Sequence, residues 1–150
     1  MQGKATIAGH PIHPMLVAFP IGFFAGAVIS DIITFLGHPD FWPRMSISLI
    51  AFGIIAALVA ALFGFIDYFT VPMEPAVKKT ATTHMILNLF VVAIYVVALF
   101  VRASNPVSTL GYILTFGGLV FLVVSGWFGG HLAYVGLVGT QSGTGTRRPG

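Results

Sequence analysis

Histidine and aspartate residues near the ends of apolar segments are the side chains in this sequence best able to do chemistry. His10 and His13 each precede a proline and lie directly before a long apolar run. Asp67, His84 and His131 fall near the ends of three later apolar segments. Neutral imidazoles bind first-row transition metals and haem iron, and carboxylates add charge to such sites. These five residues are therefore the candidate ligands.

The composition is that of an integral membrane protein. Of the 150 residues, 57% are hydrophobic and only 7% are charged, whereas soluble domains carry roughly 25% charged residues. The mean hydropathy is +0.97. Cysteine is absent, which excludes thiolate metal sites and cysteine-ligated iron–sulfur clusters in this chain. The net charge of +3 is too small to indicate nucleic-acid binding.

Four segments are long enough to cross a bilayer, which takes about 20 apolar residues each. They cover about 14–36, 44–69, 80–102 and 108–134. Short loops between them predict an all-α fold, an antiparallel four-helix bundle spanning residues 14–135. An N-terminal segment, 1–13, precedes the bundle. A flexible polar tail, 139–150, follows it.

Basic residues near the span ends predict the orientation of the chain. Five fall on the side of the two termini and two on the other side: Lys4, Lys78, Lys79, Arg147 and Arg148 against Arg44 and Arg102. An excess of basic residues favours the cytoplasmic side. We therefore expect a multi-pass protein of a bacterial-type cell membrane with both termini in the cytoplasm.

On this topology each helix places an ionisable residue at a similar height near the cytoplasmic face. An ionisable residue in a span is costly and is a functional candidate by default. His84 and His131 are the preferred pair, because adjacent antiparallel helices bring residues of equal depth together. His13 is preferred over His10, because the prolines around them disfavour a helix that would place the two imidazoles on one face.

Asp31 and His38 fall on the other side of the membrane. Asp31 lies deep enough to pair with Arg44 or Arg102 in a structural role. His38 lies in a predicted turn. The sequence assigns neither of them to the candidate site.

Four motifs in order resemble those of the DUF2231 family of predicted four-span membrane proteins. They are the stretch 9–22, which contains the His-Pro-Ile-His-Pro sequence, then 64–68, 83–84 and 129–134. The resemblance covers about residues 9–139 and transfers the family pattern to His13, Asp67, His84 and His131. Some members resemble fusions with Rieske-type or cytochrome c domains, which implies electron transfer at a membrane. Where some members have a further histidine, this chain has Ala18.

The candidate ligands are compatible with three functions. The first is a b-type haem electron carrier with two axial histidines among His13, His84 and His131, and with quinone, a Rieske protein or a cytochrome c as redox partner. The second is a non-haem site for one first-row transition metal, held by His13, Asp67, His84 and His131, with His10 nearby. The third is a small ion or proton transporter, which would require a homo-oligomer. No nucleophile with an oriented base and no phosphate-binding glycine loop is present, so the sequence does not predict a hydrolase.

Overall fold

The protein is described here by a computed structural model, which covers residues 5–8 and 10–134. In this part of the chain two short strands precede five helices: β1 (Thr6–Ile7), β2 (His10–Pro11), α1 (Ile12–Leu16), α2 (Ala18–Phe35), α3 (Trp42–Thr70), α4 (Pro75–Ser104) and α5 (Thr109–Tyr134). The predicted polar tail, 139–150, lies outside the described residues.

The helices form four stretches long and apolar enough to span a membrane by length and composition, with α1 and α2 together making the first. The predicted all-α helical bundle is confirmed. Helices α2 and α3 pack closely as one hairpin and α4 and α5 as another, with lighter contact between the hairpins. Prolines mark the boundaries: Pro43 and Pro75 lie in the first turns of α3 and α4, and Pro72 follows α3.

The centre of the bundle is an aromatic stack between the two hairpins. The rings of Phe24 and Tyr95 lie parallel, with centroids 3.7 Å apart and planes 5° apart. Gly53 and Gly118 lie behind these rings, where a Cβ would come within 2.5 Å of Phe24 and 2.8 Å of Tyr95. The Tyr95 hydroxyl donates a hydrogen bond to the Thr115 carbonyl at 3.2 Å. The two glycines therefore allow the hairpins to meet through flat rings.

A buried ion pair closes one end of the bundle. The Arg102 guanidinium donates to both Asp31 carboxylate oxygens at 2.7 Å, and both side chains are 0% exposed. Nη1 of Arg102 also donates to the hydroxyls of Ser46 and Thr115. The pairing expected for Asp31 is thus made with Arg102, while Arg44 is exposed. We call this the ion-pair end of the bundle.

Gly111 makes room for Arg102 at this end. A Cβ at position 111 would overlap Cγ of Arg102 and lie 2.9 Å from its Cδ. The Nε of Arg102 donates to the Pro106 carbonyl. The position of the guanidinium is therefore set by the backbone of α5 and its preceding loop as well as by the carboxylate.

Two neighbouring glycines test the packing of the aromatic stack. We expect Gly118→Ala to lower the free energy of unfolding by about 1–3 kcal/mol, because the added methyl meets Tyr95, which Phe24 prevents from moving away. Gly117→Ala meets no atom within 4 Å and should be neutral or stabilising by up to about 1 kcal/mol. Equilibrium unfolding in detergent micelles measures both. Equal effects of the two substitutions would contradict this packing.

Candidate functional site

Two histidines face each other between the hairpins at the end opposite the ion pair. His13 lies in α1 and His84 in α4, and their ring centroids are 6.5 Å apart with an interplanar angle of 78°. Both side chains are half-buried. We call this the histidine end of the bundle and the two side chains the histidine pair.

Each imidazole of the pair is tethered by the same kind of hydrogen bond within its own half of the bundle. Nδ1 of His13 lies 2.8 Å from the Ala60 carbonyl of α3, and Nδ1 of His84 lies 2.9 Å from the Ser125 carbonyl of α5. A carbonyl oxygen only accepts, so Nδ1 carries the proton in both rings. In the neutral rings, Nε2 then keeps its lone pair. Metal-ligating histidines have this arrangement.

A glycine lies against each ring of the histidine pair. A Cβ at Gly64 would lie 2.9 Å from Cε1 of His13, and a Cβ at Gly129 would lie 2.8 Å from Cε1 of His84. Gly130, the next residue, has nothing within 4 Å of its Cβ position. Gly64 and Gly129 therefore allow the imidazoles to lie against the neighbouring helices.

Asn88 and Ser125 add polar contacts to His84 that sequence reasoning did not single out. The Asn88 amide donates to the Ser125 hydroxyl at 2.8 Å and to the His84 carbonyl at 2.9 Å. Its nitrogen is nearly equidistant from the two ring nitrogens of His84, at 3.3 and 3.1 Å. The two hydrogens of the Asn88 amide are used by its shorter bonds to the Ser125 hydroxyl and the His84 carbonyl. The sequence does show a polar amide, Asn88, one helical turn after His84 in an otherwise apolar span, and this spacing could have predicted the contact.

Asp67 holds the N-terminal segment rather than joining the histidine pair. Its side chain is buried, and its Oδ1 accepts a hydrogen bond from the Ala5 amide at 3.3 Å. The Ala5 carbonyl in turn accepts from the Ile12 amide at 3.0 Å. Residues 6 and 7 pair with 10 and 11 between these two bonds. Asp67 thus anchors the strand pair that leads directly into the helix carrying His13.

His131 and His10 lie apart from the pair. His131 is exposed in the last turn of α5, six residues beyond Ser125, which is about 9 Å further along the axis and on another face. His10 is exposed on β2, with Nδ1 3.1 Å from the Ala8 carbonyl. The expected pair of His84 and His131 is therefore not assembled. Within residues 5–8 and 10–134, no three histidine or carboxylate side chains are grouped as a metal site.

The two hairpins are also connected through Tyr68 at the histidine end. The Tyr68 hydroxyl lies 2.9 Å from the Thr82 hydroxyl, and Lys78 donates to the Tyr68 carbonyl. The Lys78 ammonium lies 3.4 Å from the centre of the Tyr68 ring. These contacts fix the start of α4 against the end of α3, on which both Asp67 and Gly64 lie.

The role of Asp67 as an anchor can be separated from a role as a ligand. We expect Asp67→Ala to release the N-terminal strand pair, because the Ala5 amide loses its acceptor. Asp67→Asn keeps a carbonyl oxygen at the same position and should retain the bond. Hydrogen exchange at the Ala5 and Ile12 amides measures the difference, with a loss of protection equivalent to about 1 kcal/mol in the alanine variant alone. Unchanged protection in Asp67→Ala would exclude the anchor.

A comparison with known families agrees with this architecture. A family model described as "Predicted membrane protein (DUF2231)" matches residues 9–142. No curated protein and no solved structure matches the chain. The match spans all four candidate membrane spans and includes both members of the histidine pair. The chain belongs to the DUF2231 family of predicted membrane proteins.

Proposed function

We propose that this protein is a membrane-bound b-type haem electron carrier in which His13 and His84 are the two axial ligands. The observation that supports this most strongly is the matched pair of tethers, which leaves a lone pair on Nε2 of each imidazole. Two tethered histidines from opposite sides of a bundle are a donor set that suits haem iron. In this proposal His84 keeps its expected role, and His13 takes the place of His131.

The two imidazoles are near neighbours, with 6.5 Å between their ring centroids. One residue from each hairpin would therefore hold a metal centre bound between them.

The chemistry supplied by a bound haem is the acceptance and release of one electron. The chain itself would hold and orient the two imidazoles through the Ala60 and Ser125 carbonyls. Since Lys78 and Lys79 lie at the histidine end, this end faces the cytoplasm in our proposal. A quinone dissolved in the bilayer or a redox protein at that surface is the expected partner.

The other two candidate functions have less support. A four-ligand site needs Asp67 and His131 to approach the histidine pair, yet Asp67 accepts from Ala5 and His131 is exposed. Transport along the bundle axis would have to pass the Phe24–Tyr95 stack and the Asp31–Arg102 ion pair, which fill the interior between the hairpins. The haem proposal requires neither of these rearrangements and keeps the two carbonyl tethers of the histidine pair.

Absorption spectroscopy of purified protein tests the proposal. After expression with sufficient haem, we expect a Soret band and a reduced α band from a single bound haem. His13→Ala and His84→Ala should each lose the bis-histidine spectrum, because each removes an axial ligand. His131→Ala and His10→Ala should keep it, since both side chains are exposed and apart from the pair.

Circular dichroism and size-exclusion chromatography of the variants control for folding. A wild-type protein without a Soret band would falsify the haem proposal. If the Soret band depends on His131 rather than on His13, the ligands are His84 and His131, the pair expected from the sequence. Metal analysis of the same samples distinguishes haem from a non-haem ion.

Adjacent glycines provide a second, gentler test. We expect Gly129→Ala to weaken haem binding by about 10-fold or more, because the new methyl displaces the His84 ring from its carbonyl tether. Gly130→Ala adds the same methyl where no atom lies within 4 Å and should bind haem as the wild type does. Titration of haem-free protein with haemin measures both affinities. Equal affinities in the two variants would show that the position of His84 does not matter for binding.

A further inference from the structure

Residues that lie 71 positions apart meet across the centre of the bundle at three levels. His13 faces His84 with 6.5 Å between ring centroids, and Phe24 stacks on Tyr95 at 3.7 Å. Asp31 pairs with Arg102 at 2.7 Å. The first residue of each pair belongs to α1 or α2 and the second to α4. One constant offset thus relates the first span to the third along its whole length.

A second constant offset, of 65 positions, relates α3 to α5. Gly53 lies behind Phe24 as Gly118 lies behind Tyr95. Gly64 lies against His13 as Gly129 lies against His84. The hydrogen bonds follow the same rule, because the Ala60 carbonyl accepts from His13 and the Ser125 carbonyl accepts from His84.

In each pair of spans, four buried positions correspond under these offsets. In the first and third spans, the residues buried at equivalent positions include Pro20 and Val91, and Ala27 and Ala98. In the second and fourth spans they include Ser46 and Gly111, and Ile50 and Thr115. Helices α2 and α4 run in the same direction, so the operation that relates the halves is a two-fold rotation about the bundle axis, as in parallel repeats.

We infer that the bundle is a pseudo-two-fold pair of like hairpins, and that the inner face of each hairpin is an interaction surface whose partner is a second hairpin of the same kind. The inference is independent of the haem proposal, since it depends on packing alone. On this inference, the histidine pair, the aromatic stack and the ion pair are three successive levels of one interface with two-fold symmetry.

The ion pair selects which hairpins combine. Two copies of the N-terminal hairpin would bring two Asp31 carboxylates together, and two copies of the C-terminal hairpin would bring two Arg102 guanidinium groups together. Like charges buried against each other are unfavourable. Only the combination of unlike hairpins joins opposite charges, so this level gives specificity to a surface that is otherwise self-complementary.

The aromatic level allows a test that does not disturb the fold. Tyr95 donates to the Thr115 carbonyl, and the position equivalent to Thr115 is Ile50. A two-fold interface therefore predicts that a hydroxyl added to Phe24 finds the Ile50 carbonyl. We expect Tyr95→Phe to lower the melting temperature in detergent and the exchange Phe24→Tyr/Tyr95→Phe to recover most of that loss.

The opposite result would overturn the inference. If position 24 has no equivalent acceptor, its new hydroxyl is buried without a partner, and the exchanged protein melts below Tyr95→Phe alone. The melting temperature does not depend on haem when it is measured on haem-free protein. Failure of this test and failure of the haem proposal are therefore distinguishable.

Exchange of the charges tests whether the Asp31–Arg102 ion pair selects which hairpins combine. Asp31→Arg and Arg102→Asp should each strongly lower the melting temperature, because each places like charges together. Exchanging both, together with Ser46→Gly and Gly111→Ser to move the space that Arg102 uses, should recover a monodisperse and more stable protein. The double charge exchange without the glycine exchange is the matched control and should recover less. A fourfold exchange no better than the single variants would contradict the two-fold equivalence.

Discussion

A carboxylate and a guanidinium buried among membrane-spanning helices are tolerable only when they neutralise each other, and this constraint sets the register of the bundle. Asp31 and Arg102 are fully buried and joined through both carboxylate oxygens. Sliding one hairpin past the other by a single turn would separate them and leave two uncompensated charges. The positions of the aromatic stack and of the histidine pair follow from that register, since all three lie on the same pair of spans.

Glycine has a distinct purpose in this bundle. Four glycines lie directly against flat side chains: Gly53, Gly64, Gly118 and Gly129. Each allows a ring to lie on a helix surface where a methyl group would hold it away. The hairpins can therefore meet through rings at the centre and at the histidine end, and the carbonyls beneath those rings become available as hydrogen-bond acceptors.

Much of the architecture could be predicted from the sequence, because hydropathy alone identifies four spans and short loops fix their order. The depth of Asp31 in its span limited its predicted partner to one of two arginines, Arg44 or Arg102. The grouping of the histidines was harder, since depth does not reveal which way a helix face points. His131 lies six residues beyond Ser125, whose carbonyl contacts His84, and it is exposed. The Asp67 carboxylate accepts a hydrogen bond from the Ala5 amide of the N-terminal segment instead.

The two-fold relation could not be recognised in the sequence for a physical reason. Equivalent positions need similar shape and burial, not identical chemistry, so Phe24 corresponds to Tyr95, Ile50 to Thr115 and Asp31 to Arg102. The last correspondence is a reversal of charge, which any comparison of residue types counts as dissimilarity. Only the contacts reveal that these residues occupy the same places.

The two-fold symmetry is broken at the histidine pair, because His84 is held by more contacts than His13. His84 lies in the interior of a 30-residue helix, with Asn88 and Ser125 against it. His13 lies in a five-residue helix, and the position equivalent to Asn88 is Val17. The first histidine depends on one carbonyl tether and on the strand pair that Asp67 anchors. Any opening of the site to admit a large planar group would therefore begin at the N-terminal segment, with α4 as the fixed wall.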